Sequence, residues 1–325
     1  MKDWAVELLV CPRTGEQLDL RVSKARADEI ITGELVTPSG QSYPILNGVP
    51  RFVRNHYATA FGLQWNRHAD TQIDDDHHMH SAQRFWRETG FTPDGISGKL
   101  ILDGGCGAGR FVDVASRAGA RVIAVDLSEA VDACHGSFGE RENVCVIQAS
   151  LFDLPFRDQT FDAAFTIGVI QHTPRPLKAL SSLAETVKVG GEMAVSWYKK
   201  YWYTYLHQKY WLRPLFRSWS DERLYRFISW YVPKLLPLSR LLCCIAPASV
   251  VDRIVPVANR DYVSGLSKRD KLEWAILDTY DWYNPAYDKP QTWRAVERTM
   301  RAHGYRCERA PARREGLHCV RASVP

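Results

Sequence analysis

From Lys99 to Tyr198, short apolar runs of strand length alternate with stretches whose apolar residues recur at helical spacing. "KLILD" is followed by "RFVDVASRAG", then "RVIAVD" by "SEAVDACHGSF". Next come "NVCVIQ", "FDAAFTIG", the helical "PLKALSSLAETVK" and the strand-like "EMAVSWY". This βα rhythm predicts an α/β fold whose parallel sheet is covered on both faces. The rhythm breaks over 199–270, an insertion with aromatic stripes at helical spacing: Tyr198, Trp202, Tyr205, Leu212, Phe216 and Trp219, then Leu224, Phe227, Ile228 and Tyr231. It resumes with a helix in "KPQTWRAVERTMRAHGY" and two closing strands, "RCERAPA" and "GLHCVRAS".

Ahead of this region, residues 1–54 are dense in turn signals ("CPRTGE", "TPSGQSYPILNGVP") between short alternating runs, which predicts a small β-rich domain. Residues 55–97 are polar and histidine-rich, with helical spacing in "SAQRFWRET"; they are expected to cap the site as a helical segment, leaving 98–325 as the main domain. A chain of 325 residues can hold these parts, and a net charge of +5 with dispersed Lys and Arg does not call for nucleic acid. The first residues lack a basic leader followed by an apolar core, so no signal peptide is expected. The most apolar stretch, Tyr231 to Val251, contains three prolines and two charges and makes a poor membrane span. Eight cysteines without a C-x-x-C pair read as reduced thiols, and the cytoplasm is the expected location.

The candidate chemistry begins where the first strand ends at Asp103. Gly104, Gly105, Gly107 and Gly109 make the turn into the next helix, and without Cβ they let a ligand lie against the main chain. In an α/β sheet that is where ligands bind. The dinucleotide pattern G-x-G-x-x-G fails at Arg110 and the phosphate loop ending in Gly-Lys-Ser/Thr is absent, which opposes a pyrophosphate ligand and a nicotinamide oxidoreductase. Asp126, closing the second strand, is placed to accept hydrogen bonds from ribose hydroxyls. A ribose-bearing cofactor without phosphates is the remaining reading.

The order D-x-G-x-G-x-G (Asp103, Gly105, Gly107, Gly109), Asp126, "QASLFDLPFRDQTFDAAFTIGVIQHTPRP" and "VKVGGEMAVSWY" resembles class I S-adenosylmethionine-dependent methyltransferases of the type 11-like group over 99–198. The resemblance implies a Rossmann-like seven-stranded, mostly parallel sheet, S-adenosylmethionine as cofactor, and a cofactor cradle that includes Gly104, Leu127 and Gln171. Where many relatives have Asp near the adenine this chain has Ser150, so that contact falls to the Ser150 hydroxyl, the Leu151 amide or Asp153. "FGLQWNRHADTQIDDD" and "LDTYDWYNPAYDKPQT" are similar to a biosynthetic subgroup. Residues 1–53 resemble small zinc-ribbon-like activators of tRNA and translation-factor methyltransferases; three of four ligand positions (Cys11, Thr14, Thr37, Gly40) are not cysteine, so a metal-free relic that aids docking or homodimer formation is expected.

Methyl transfer to a hydroxyl or ammonium needs a base, and His172, just beyond the fourth strand, is the candidate. Arg84 is a candidate partner for the carboxylate of the cofactor's methionine, set against an exposed helix arginine. Asp281 and Tyr283, with Trp282 and Tyr287, cluster aromatics with a carboxylate and are read as acceptor-side catalytic candidates or as a packed loop. "DDDHHMH" (74–80) contains metal-ligand types, but a solvated loop is the stronger reading and no metal is expected. The insertion's Lys and Arg fit a membrane surface or a lipid-tailed acceptor; a packed lid is favoured over it. The function expected is methyl transfer to oxygen of a small or glycan-type biosynthetic metabolite. Its rivals are an RNA or protein methyltransferase and a non-catalytic cofactor-binding module.

Overall fold

The computed structural model describes residues 1–27, 29–53, 58, 61–62, 65, 73–74, 79–259, 266–309 and 316–322. The chain divides into two compact units, one of Met1–Ala69, Ser81–Lys199 and Tyr287–Pro325, the other of Asp70–His80 and Lys200–Ala286.

The first unit is built on a seven-stranded sheet. Its strands are β5 (Leu100–Gly104), β6 (Arg121–Asp126), β7 (Val144–Gln148), β8 (Phe161–Ile167), β9 (Val187–Ser196), β10 (Tyr305–Arg309) and β11 (Gly316–Arg321), in the order β10-β11-β9-β8-β5-β6-β7. β5 to β9 run parallel, and the closing hairpin joins β9 antiparallel through β11. The sheet is therefore Rossmann-like and mostly parallel, as the βα rhythm predicts. Its strands read as unbroken apolar runs because both faces are buried: Ile101, Leu102, Val122, Ile123, Val144 and Ile147 are fully covered. Packed with it are α1 (His80–Thr89), α2 (Pro93–Ile96), α3 (Arg110–Arg117), α4 (Ala130–Phe138), α5 (Pro176–Glu185) and a later helix, Trp293–Ala302, whose start is capped by Thr292 accepting from the Ala295 amide.

Topology locates the crevice. The chain winds from β5 through β6 to β7, then returns to the far side of β5 for β8 and β9, so strand order reverses between β5 and β8. The turns after these two strands, 105–109 and 168–172, flank the opening in which α/β sheets bind ligands.

The amino-terminal sheet is an antiparallel meander of β1 (Asp19–Arg26), β2 (Glu29–Val36), β3 (Ser42–Leu46) and β4 (Val49–Pro50). It joins the main sheet: Arg51 bridges in parallel to Gln148, and the Phe52 amide donates to the Gln148 carbonyl. Met1, Leu9, Leu35 and Ile45 share one apolar core with Ile123 and Ile147. The positions matching the zinc knuckles sit in a hydrogen-bonded cluster. Cys11 Sγ lies 3.4 Å from Gln41 Oε1 and 3.2 Å from the Tyr43 hydroxyl, while Thr14 and Ser39 both donate to Glu16. Burial pushes the Cys11 thiol up, but hydrogen bonds from Thr14 and Tyr43 outweigh it and hold the group below its ordinary value.

One expectation about cysteine is overturned. Cys307 and Cys319 stand directly opposite across β10 and β11 and are joined as a disulfide, so the thiols are not all reduced. The pairing is set by hairpin register and carries no C-x-x-C signal.

The second unit is helical: α6 (Gln208–Phe216), α7 (Asp221–Cys243), α8 (Ala248–Ile254) and α9 (Lys268–Tyr283), after which the helix Trp293–Ala302 becomes α10. Ser220 and Ser267 cap α7 and α9 by accepting from backbone amides two to three residues inside the helix. The second sequence stripe packs as expected, with Leu224, Ile228 and Tyr231 buried against Tyr280 and Tyr283 of α9. The first does so only in part: Leu212, Phe216 and Trp219 pack against the same core, whereas Trp202 is 89% exposed and Tyr205 is also exposed. Helical spacing marks an apolar face without saying which side is covered.

Candidate active site

The turn after β5 is shaped by backbone conformations that only glycine adopts freely. Gly105 has φ +98°, and a Cβ there would lie 2.4 Å from Val169; Gly109 has φ +92°, with Phe138 at 2.7 Å. Gly107 instead faces Trp65, whose indole nitrogen lies 3.3 Å from where a Cβ would stand. Asp126 fastens this turn. Its Oδ2 accepts from the Gly107 amide at 3.0 Å, and its Oδ1 from the Ser128 amide and hydroxyl at 2.8 and 2.7 Å. A carboxylate has about four acceptor positions, so one remains for a ligand hydroxyl.

Asp103 is 1% exposed, and its Oδ2 has no hydrogen-bond partner among the described residues. Burial, and then the Asp126 charge, push its carboxyl well above the usual carboxylate range. Gln171 is also fully buried. Its Oε1 accepts from the Tyr198 amide at 3.4 Å, and its Nε2 has no partner among the described residues. Two adjacent strand ends thus present one orphaned acceptor and one orphaned donor. Burying such atoms unpaired is costly. An amino-acid end, ammonium and carboxylate together, matches this donor set, and the ammonium would draw Asp103 back to its charged form.

Arg84 of α1 reaches the same region. A Cβ at Gly168 would lie 3.7 Å from Arg84 Nη2 and 4.0 Å from Gln171 Nε2. It is not the exposed helix arginine of the alternative reading: Nε donates to Glu88 at 2.8 Å and the guanidinium lies 5.6 Å from the Phe111 centroid. Glu88 is raised by burial but drawn below its ordinary value overall by Arg84 and by a hydrogen bond from Ser196.

His172 closes the short helical turn Ile170–His172. Its Nδ1 lies 3.1 Å from the Tyr287 carbonyl oxygen. A carbonyl can only accept, so Nδ1 carries a proton, and in the neutral imidazole Nε2 is the acceptor. Phe61 and Tyr198 hold the imidazole edge-on, each with a centroid separation of 5.4 Å. The Lys289 amide donates to the Gln171 carbonyl at 2.8 Å, so 287–289 straps the loop that carries both side chains.

Beyond the end of β7, Ser150 Oγ accepts from the Phe152 amide at 3.2 Å, and the Asp153 amide donates to the Ser150 carbonyl at 3.0 Å. The hydroxyl hydrogen of Ser150 is left to donate. Leu151 is buried beside it, and the Leu127 carbonyl accepts from Gln148 Nε2. Asp281 and Tyr283 belong to the helical unit. There Tyr283 is buried against Phe216 and donates its hydroxyl to Gln208. Burial raises its phenol far above the ordinary value. Of "DDDHHMH", residues 75–78 lie outside the described residues, and no cluster of metal-ligating side chains occurs among the described ones.

Sequence reasoning gave no role at the site to Phe61, Trp65 or the Tyr287 carbonyl, and placed Tyr198 in the insertion's stripe. "FGLQWNRH" is a cluster of large apolar residues in a polar segment, and that was the available signal for the first two. A backbone carbonyl has none.

This sheet, its glycine turn and its acid at the end of β6 resemble those of a class I S-adenosylmethionine-dependent methyltransferase domain. A family model described as "Methyltransferase domain" matches residues 102–195. Three curated proteins are similar to this chain over the same part. "Demethylmenaquinone methyltransferase" of Thermobifida fusca is 36% identical over 117 residues, 35% of this chain and 50% of that protein. "O-methyltransferase resE" of Aspergillus sclerotiorum is 31% identical, over 36% of this chain and 46% of that protein. "Ubiquinone biosynthesis O-methyltransferase" of Alkalilimnicola ehrlichii is 35% identical, over 31% and 42%. The chain thus spans about half the length of the curated relatives it matches.

Proposed function

We propose that the chain is an enzyme that moves a methyl group from S-adenosylmethionine to a hydroxyl of a small biosynthetic metabolite, with His172 as the base. One observation carries this reading. At the reversal of strand order, orphaned Asp103 and Gln171 atoms suited to an amino-acid end lie on strand ends beside an imidazole whose tautomer leaves Nε2 able to take a proton. The names of two of the relatives, O-methyltransferases, favour oxygen as the acceptor atom.

When bound, S-adenosylmethionine supplies an electrophilic methyl on a sulfonium. The chain's own residues do the rest. Asp103, Gln171 and Arg84 would hold the methionine end, Asp126 would accept from the ribose, and Ser150 and Leu151 would meet the adenine. Orientation of donor and acceptor lowers the barrier by several kcal/mol. His172 Nε2 would take the acceptor's hydroxyl proton, and the Tyr287 carbonyl would steady the imidazolium through Nδ1–H. Tyr283, with its hydroxyl engaged inside the helical unit, takes no proton-transfer step.

Calorimetry with S-adenosylhomocysteine and with a nicotinamide dinucleotide tests the cofactor: uptake of the first alone is expected. A panel of phenolic and sugar hydroxyl acceptors, read by mass gain of one methyl group, tests the reaction. Binding of the dinucleotide in place of the adenosyl compound would overturn the reading.

A further inference from the structure

We infer that the helical unit docks on an anionic lipid bilayer, lying in its interface without crossing it. α7 is apolar on two sides. One side, Leu224, Ile228, Tyr231 and Leu236, is buried in the unit's core. Along the other, Trp230, Leu238, Leu241 and Ile245 follow one another at spacings of eight, three and four residues, which keeps them on a single helical face running past the end of α7. All four are exposed, Leu241 at 66% and Ile245 at 82%. Lys234 occupies the missing position of the same stripe, its ammonium 3.6 Å from the Trp230 centroid. Trp202, Trp211 and Leu215 of the same unit are exposed as well. A soluble surface seldom leaves so many large apolar side chains uncovered.

Charge selects the occupant. The unit as a whole, 70–80 and 200–286, is nearly neutral, with thirteen Lys and Arg against twelve Asp and Glu, but the stretch that bears the exposed stripe, 223–245, has four Lys and Arg and no Asp or Glu. A second copy would set this basic surface against itself, whereas anionic headgroups complement it. Tryptophan and leucine interleaved with lysine on one face is the composition of helices that lie at the headgroup boundary. No helix of the described residues is long and apolar enough to cross a membrane, so the association is interfacial.

The full chain is floated with vesicles of phosphatidylcholine alone and of phosphatidylcholine containing a third phosphatidylglycerol, at about 0.1 M and about 0.5 M salt. Flotation is expected with the anionic vesicles at low salt, with loss at high salt. The double substitution Leu241→Ser, Ile245→Ser lowers partitioning by roughly tenfold or more, and Lys234→Glu by at least roughly fivefold. Both variants keep calorimetric S-adenosylhomocysteine binding, which shows that they are folded. Absence of flotation with anionic vesicles at low salt overturns the inference, as does a double variant that floats like its parent. A dimer in light scattering that the double variant splits, without vesicle binding, assigns the face to a second copy and overturns it too. Retention on polyglutamate without vesicle binding assigns it to an acidic protein, with the same consequence.

Discussion

His172 and Asp103 are held in different ways: a backbone carbonyl meets one imidazole nitrogen of His172, while Asp103 is buried with an unpaired carboxyl oxygen among the described residues. For His172, the Tyr287 carbonyl fixes the tautomer, so His172→Ala is expected to lower turnover about 10²–10⁴-fold while donor affinity changes little. Single-turnover rates beside calorimetry check this, and equal losses in both would make His172 a donor contact. For Asp103 the sign is opposite to the usual carboxylate. Its folded value is raised, so it favours the fold only at low pH and weakens it as pH rises past the ordinary 3.8. Asp103→Asn removes that penalty at neutral pH. The variant is expected to melt no lower than its parent yet to bind donor at least roughly tenfold more weakly, since the neutral amide cannot meet an ammonium with charge. Melting curves and titrations on the same sample separate the two effects.

Among elements, the glycine turn and the closing hairpin make different demands on the sequence. Gly105→Ala places a methyl group against Val169 in a left-handed conformation and is expected to cost at least about 1–3 kcal/mol in urea unfolding. Glu192 on β9 joins His318 of β11 at 3.0 Å and Lys99 at 2.8 Å. The His318 hydrogen bond, helped by Lys99 and opposed by burial, draws its carboxyl down to about 2. Because the folded value lies below the ordinary 4.5, this stabilisation is present above that pH and drains as pH falls toward 2. Glu192→Gln should therefore lower the melting temperature at pH 7 and flatten its fall under acid. The turn and Asp126 were legible in the sequence because strand ends and bare backbone are local features. The Cys307–Cys319 pair was not, since it depends on hairpin register, and neither was the His172–Tyr287 hydrogen bond, which joins positions 115 residues apart.

For the whole molecule, composition divides the chain less cleanly than packing does. The first fifty-odd residues read as an attachment because their turn signals differ from the βα rhythm, but Met1, Leu9, Leu35 and Ile45 complete the core of the main sheet. A chain beginning at residue 54 is expected to be recovered in inclusion bodies or as aggregate, having lost the cover over β7; a monodisperse, donor-binding fragment would show that the core closes without it. Periodicity located the insertion's helices but not their outward faces, because two apolar sides at one spacing are equivalent until something packs on one.

Lys199, where the chain leaves the sheet-bearing unit, bridges in parallel to Gln291, just after its return, and the Gln291 amide donates to the Tyr198 carbonyl. Exit and re-entry stand side by side. A short turn joining Lys199 to Tyr287 keeps both this pairing and the 287–289 strap, so the sheet-bearing unit is expected to fold with the intervening helices removed.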